Sequence, residues 1–145
     1  MDVQVKWSGD VKFTGKTSLG HEVLMDGPPQ YGGDDGGPRP MEMVLLGLGG
    51  CASFDVVHFL KKARQDVTSC DVQITAERSD IPPSVFEKIH LHFELTGNNL
   101  SSSVVERMVR LSAEKYCSAS IMLARSGAEI THSFKILQMQ LTENK

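Results

Sequence analysis

The stretch from Pro40 to Gln65 constrains this chain more than any other. Pro40-Met41-Glu42-Met43-Val44-Leu45-Leu46-Gly47-Leu48-Gly49-Gly50-Cys51 is apolar almost all round. Proline is favoured in a helix's first turn, and Lys61-Lys62-Ala63-Arg64 suits a helix C-terminus. The pattern predicts one long helix from Pro40 to about Gln65, with a buried first half. A helix that is apolar on every side needs other elements to cover it, so the rest of the chain must supply them.

Those elements read as strands before and after. Val3-Gln4-Val5-Lys6-Trp7 alternates apolar and polar residues. Val11–Ser18 and His21–Met25 follow as two more strands of an antiparallel meander. Residues 27–40 form a Gly/Pro loop whose composition excludes regular structure; loops of this length are often functional or mobile. Beyond the helix, Val67–Arg78 and Val85–Leu95 read as strands separated by Pro82-Pro83. Ile89, Leu91, Phe93 and Leu95 share one face of the second. Ser101–Ser103 supply N-cap candidates for another helix, with Val104, Val105, Met108, Leu111 and Ser112 on its buried face. Ser118–Ala124 reads as a further helical segment and Ile130–Leu141 as a final strand. The order βββ-α-ββ-αα-β predicts an α+β fold with a largely antiparallel sheet. Residues 1–145 are expected to form one domain: the meander 1–26, the loop 27–40 and an α/β core 41–145.

Composition narrows the function classes. The net charge is −3 and no basic run suggests nucleic acid. The N-terminus lacks a signal-peptide pattern. No apolar run approaches the roughly 18 residues of a membrane span. The expectation is a cytoplasmic protein with no membrane partner. Three cysteines are an odd number and argue against a structural disulfide framework. A disulfide in that compartment would be transient, catalytic or redox-sensing.

Cys51 and Cys117 are the candidate reactive groups. Free cysteine is often just a small buried hydrophobe. However, Gly47, Gly49 and Gly50 each cost a helix about 1 kcal/mol against alanine, which implies close helix packing or access for a ligand beside Cys51. Asp55 and His58 follow on the same helical face. A carboxylate beside Cys51 raises a thiol's pKa, the wrong direction for a nucleophile, so Asp55 reads as structural and His58 as interfacial or exposed. Cys70 reads as incidental. His90 and His92 share a strand face, an arrangement that can hold a metal, but without a third ligand nearby they read as solvated residues. The loop containing Gly32-Gly33 and Gly36-Gly37 lacks the ending of a phosphate loop.

Two motifs carry a family resemblance: Arg39-Pro40-Met41-Glu42-Met43-Val44-Leu45 leading to Gly49-Gly50-Cys51, and Ser112-Ala113-Glu114-Lys115-Tyr116-Cys117-Ser118. With the element order, they resemble the osmotically induced protein C and organic hydroperoxide resistance superfamily, closest to a cytosolic branch. The resemblance implies an intertwined homodimer with sheets wrapped around two central helices. It implies a thiol peroxidase without metal, haem or other cofactor. Cys51 would attack an organic hydroperoxide, Cys117 would resolve the sulfenic acid as a disulfide, and a dithiol would reset it. An arginine and a glutamate assist in relatives, which places Arg39 and Glu42 among the catalytic candidates. Arg125 is a second candidate for activating the thiol. The family's glutamate stands one residue farther from its cysteine. At about 100° per residue, Glu42 would point away from Cys51 within one straight helix. The alternative to an enzyme is a redox sensor, or a dimer that binds a small apolar ligand.

Overall fold

The computed structural model describes residues 1–138, which divide into two compact units, Met1–Leu46 and Gly47 onward. In the first unit, β1 (Val3–Trp7), β2 (Phe13–Thr17) and β3 (Glu22–Met25) form an antiparallel meander in the order β1-β2-β3. The expected strands are present, with the second and third shorter than their apolar patterns suggested.

The loop after β3 is more regular than its composition implies. Asp26 is buried, and its carboxylate accepts N–H bonds from Gly27 at 2.7 Å, Gly36 at 3.0 Å and Asp34 at 3.2 Å. Burial pushes this carboxyl up, but the three backbone bonds outweigh it and hold the pKa below the usual range. Pro29–Tyr31 forms a single 3-10 turn. A Cβ on Gly33 would stand 1.9 Å from the Gly27 carbonyl oxygen, so this glycine serves close backbone approach.

Helix α1 spans Pro40–Lys62. Glu42 accepts the Arg39 backbone N–H at 3.0 Å, as the third residue of a helix does in a capping box. At the other end Arg64 takes a left-handed conformation, φ 58°. Arg64 N–H donates to Lys61 O and Gln65 N–H to Leu60 O, the paired bonds of a Schellman stop. The helix therefore ends before Gln65.

In the second unit, β4 (Asp66–Arg78) pairs antiparallel with β5 (Phe86–Asn98), which pairs parallel with β6 (Glu129–Gln138). Among the described residues, three of the four strand pairings are antiparallel, in keeping with the α+β reading. The parallel pairing was not foreseen. A parallel pair needs a long crossover connection, and the helical segment between β5 and β6 supplies it. That crossover contains α2 (Ser102–Leu111), a π-helical turn (Ser112–Tyr116) and α3 (Ser118–Arg125). Ser101 caps α2, accepting Val104 N–H at 3.4 Å. Residues 139–141 of the expected last strand lie outside the described residues.

The core sits where alternation placed it. Ile89, Leu91, Phe93 and Leu95 of β5 are buried, as are Val105, Met108 and Val109 of α2. In α1 the buried stripe is Leu48, Gly49, Ala52, Val56 and Leu60, near helical repeat.

Two expectations about α1 are corrected. Among the described residues its first half is only partly covered: Leu48 and Gly49 are buried, but Val44 is 39% and Leu46 61% exposed, and in the second half Phe54 is 70% exposed. Its 23 residues are also long and apolar enough, by length and composition, to cross a membrane. Glycines, Ser53, Glu42 and Asp55 interrupt the apolar run, which hid this, although the average remains high. Core helices of soluble proteins pass the same test.

Candidate functional site: a two-thiol cluster with a carboxylate

Cys51 and Asp55 stand one helical turn apart on α1, so their side chains share a face. The π turn brings Cys117 to them. Its i→i−5 bond, Cys117 N–H to Ser112 O at 2.8 Å, widens the end of α2 by one residue. Ser112 is buried and donates its hydroxyl to the carbonyl of Ala52, the residue after Cys51, at 3.3 Å. Ser120 donates its hydroxyl to Ala113 O at 3.1 Å, tying α3 back to the same turn. The result is a cluster in which Cys51 Sγ, Cys117 Sγ and an Asp55 carboxylate oxygen all lie within 4.8 Å of one another.

Both thiols are free. Cys117 is fully buried and occupies the N-cap of α3, where its sulfur accepts Ser120 N–H at 3.4 Å. Burial pushes its thiol up. Hydrogen bonding to Cys51 and the charges of Cys51 and Asp55 add to this, against the lowering effect of the Ser120 bond, and the pKa reaches about 12. Cys117 therefore carries its proton at neutral pH and hydrogen-bonds with Cys51. Asp55 Oδ2 is buried without a hydrogen-bond partner, an expensive state for a carboxylate oxygen.

Two outcomes follow from this geometry. Ser112→Ala removes the hydroxyl that ties the π turn to α1; stability should fall by about 1 kcal/mol in urea unfolding, and peroxide-driven disulfide formation should slow. The raised Cys117 pKa fixes a sign for alkaline pH. Above pH 9 the unfolded thiol ionises while the folded one holds its proton to about 12. The unfolded state then binds fewer protons, so stability declines as pH rises through this window. Urea midpoints measured from pH 8 to 11 should fall in the native chain more steeply than in Cys117→Ala.

The remaining candidates distribute as follows. Arg39 pairs with Asp35 at 3.0 Å and with Glu42 at 3.4 Å in the first unit. The Arg39 backbone bond, then its side chain, hold the Glu42 carboxyl below its usual range despite some desolvation. Both residues are thus engaged with each other at the start of α1. Arg125 ends α3 and lines a cavity of about 430 Å³ with Ser120, Glu114 and His132. His58 is exposed and stacks on Phe54 at 5.9 Å. Cys70 hydrogen-bonds with Ser53, and burial raises its pKa. His90 and His92 share the Ser133 hydroxyl, at 2.8 and 2.7 Å, so they are partnered surface groups. Of the three glycines, Gly49 serves packing: a Cβ there would meet Ile74 Cδ1 at 3.1 Å. A Cβ on Gly47 or Gly50 would meet nothing.

Asp55, read from the sequence as structural on the same helical face as Cys51, lies within 4.8 Å of both sulfurs; its nearness to Cys117 had no sequence signal.

The family model described as OsmC-like protein matches residues 32–133, a span that includes both cysteines. The chain belongs to the OsmC-like family. This OsmC-like protein is 46% identical over 137 residues to Protein YhfA of Escherichia coli K12, covering 94% of this chain and 98% of that one. It is 29% identical to a solved Aquifex aeolicus VF5 protein, with a TM-score of 0.82 over 96% of this chain and 97% of that one. A Legionella pneumophila structure described as an organic hydroperoxide resistance protein shares the fold, with a TM-score of 0.69 and 16% identity, over 93% of this chain and 97% of the other.

Proposed function

We propose that this OsmC-like protein is a cytoplasmic thiol peroxidase that reduces organic hydroperoxides. The observation that carries the reading is the convergence of two free thiols from distant parts of the chain within 4.8 Å. Cys51, partly exposed, attacks the outer oxygen of R–O–OH as a thiolate. The O–O bond breaks, Cys51 becomes a sulfenic acid, and the alkoxide leaves as R–OH after taking a proton. Cys117 then attacks the Cys51 sulfur. An S–S bond forms, the S–O bond breaks, and hydroxide departs as water with the Cys117 proton. The high Cys117 pKa suits this order, because a protonated Cys117 does not compete for the peroxide. A dithiol reductant supplies two electrons and leaves as its own disulfide.

The same reading includes a homodimer. Val3, Val5 and Trp7 of β1 are exposed, as are Val44, Leu46 and Phe54 of α1, a load of bare apolar surface that a second copy would cover. Arg39 and Glu42 join the proposed catalytic set as supports at the start of α1. The engagement of these two with each other favours a second reading, a redox sensor that oxidises once without turnover. Steady-state consumption of cumene hydroperoxide with a dithiol reductant tests the choice. Multiple turnovers support the peroxidase, and oxidation that stops after one equivalent supports the sensor. Sedimentation equilibrium tests the dimer.

A further inference from the structure

We infer that Cys51, Cys117 and Asp55 form a binding site for a thiophilic divalent cation of the zinc type. The inference stands on the geometry of the cluster and not on peroxidase activity.

Three features of the cluster point to a metal. The first is the donor set. Two sulfurs and one carboxylate oxygen lie within 4.8 Å of one another. A tetrahedral ion with bonds of about 2.3 Å to sulfur and 2.0 Å to oxygen spaces its ligand atoms about 3.5–3.8 Å apart. Side-chain rotations of an ångström or less close that difference. Three protein ligands leave a fourth position for water or an exogenous group.

The second feature is the orphaned oxygen. Asp55 Oδ2 is buried and accepts no hydrogen bond. A buried carboxylate oxygen without a donor asks for a cation. Arg39 takes its ionic partners from Asp35 and Glu42.

The third feature is the second layer of bonding around the thiols. Ser120 N–H donates to Cys117 Sγ, and Cys117 caps the N-terminus of α3. The N–H bond from Ser120 fixes the orientation of the Cys117 sulfur. Ser112 holds the turn that carries Cys117 against α1 at Ala52. Cys117 is thus held in place by hydrogen bonds outside the cluster, as metal ligands are.

Binding is an exchange of protons for metal. Each S–H bond that ionises on binding gives its proton to buffer. Two S–metal bonds and one O–metal bond form, and no electron moves. The bound sulfur lone pairs are those that would attack a peroxide or each other. Metal occupancy and disulfide formation therefore exclude each other, and oxidation to the Cys51–Cys117 disulfide expels the ion.

The test uses the full chain, reduced and stripped with a chelator under anaerobic conditions, and titrated with Co²⁺ alone. The expected result is one equivalent bound, with thiolate-to-cobalt charge-transfer bands and the intense visible bands of a four-coordinate ion. Cys51→Ser and Cys117→Ser should each weaken the charge-transfer bands, and Asp55→Asn should weaken binding at least about 10-fold. Cys70→Ser should leave both unchanged. Native protein oxidised to the disulfide needs no substitution and should bind nothing. Zn²⁺ should displace Co²⁺ and bleach the spectrum. The inference is overturned if reduced native protein shows no charge-transfer band at millimolar Co²⁺, or if the bands survive disulfide formation. Peroxide turnover measured on the stripped protein reports separately on the peroxidase reading: activity with no cobalt bands sinks only the metal site, and bands without activity sink only the peroxidase.

Discussion

Replacing Cys51 with serine should abolish hydroperoxide turnover, lowering the rate by at least about 1,000-fold, the scale of losing a nucleophile. A serine hydroxyl does not ionise near neutral pH and cannot carry the sulfenic acid on which the second step depends. Cys117→Ser should fail differently. Its first reduction of peroxide should proceed, because the attacking sulfur remains, but a Cys51 sulfenic acid should accumulate with no partner to condense with. A dimedone adduct on Cys51, read by mass spectrometry, distinguishes the two variants. If Cys51→Ser retains activity, or if Cys117→Ser leaves no sulfenic acid, the assignment of attacker and resolver fails.

The second large effect is on stability. Phe93 is 1% exposed in the central strand β5, aligned with Val72 on β4 and Phe134 on β6. Phe93→Ala should cost about 3–5 kcal/mol through lost burial and the cavity left behind. Typical domain stabilities are about 5–15 kcal/mol, so the variant should lose a large share of its margin. Urea unfolding at one fixed protein concentration measures the loss, because any association contributes to apparent stability. A loss below about 1 kcal/mol would show that neighbouring side chains collapse into the space.

Much of the fold was legible because its strands obey a strict two-residue alternation. Ile89, Leu91, Phe93 and Leu95 declared the buried face of β5 without help from any other segment. Ser101, which caps α2, was legible for the same local reason. The parallel sense of β6 was not, since a helical connection can return a chain to either edge and direction. The exposure of α1 was not legible either. Apolarity says that Val44, Leu46 and Phe54 are costly to leave in water, but not that the described residues leave them exposed.

At the candidate site, Cys51 and Cys117 were legible as residues, while their meeting depended on a feature with no sequence signature. Nothing in Ser112-Ala113-Glu114-Lys115-Tyr116 distinguishes a π turn from an α turn. Glu42 was carried over as a catalytic candidate, whereas its backbone bond to Arg39 gives it a capping task that position alone implies. Asp55 read as structural because only Cys51 could be placed beside it; beside Cys117 its charge is the last of several causes, after burial and Cys51, that hold the thiol proton.

The π turn also governs which changes of length the chain can absorb. It holds one residue more than an α-helical turn would, and that surplus sets the phase between α2 and Cys117. Deleting any single residue from 112–116 would let the segment relax into an ordinary helix. Everything after it would rotate by about 100° relative to α2, and Cys117 would swing away from Cys51 with neither cysteine altered. Beyond Ser112, whose hydroxyl ties the turn to α1, substitution and deletion thus carry unequal consequences: the composition of 113–116 can drift, but the residue count keeps the two sulfurs in phase.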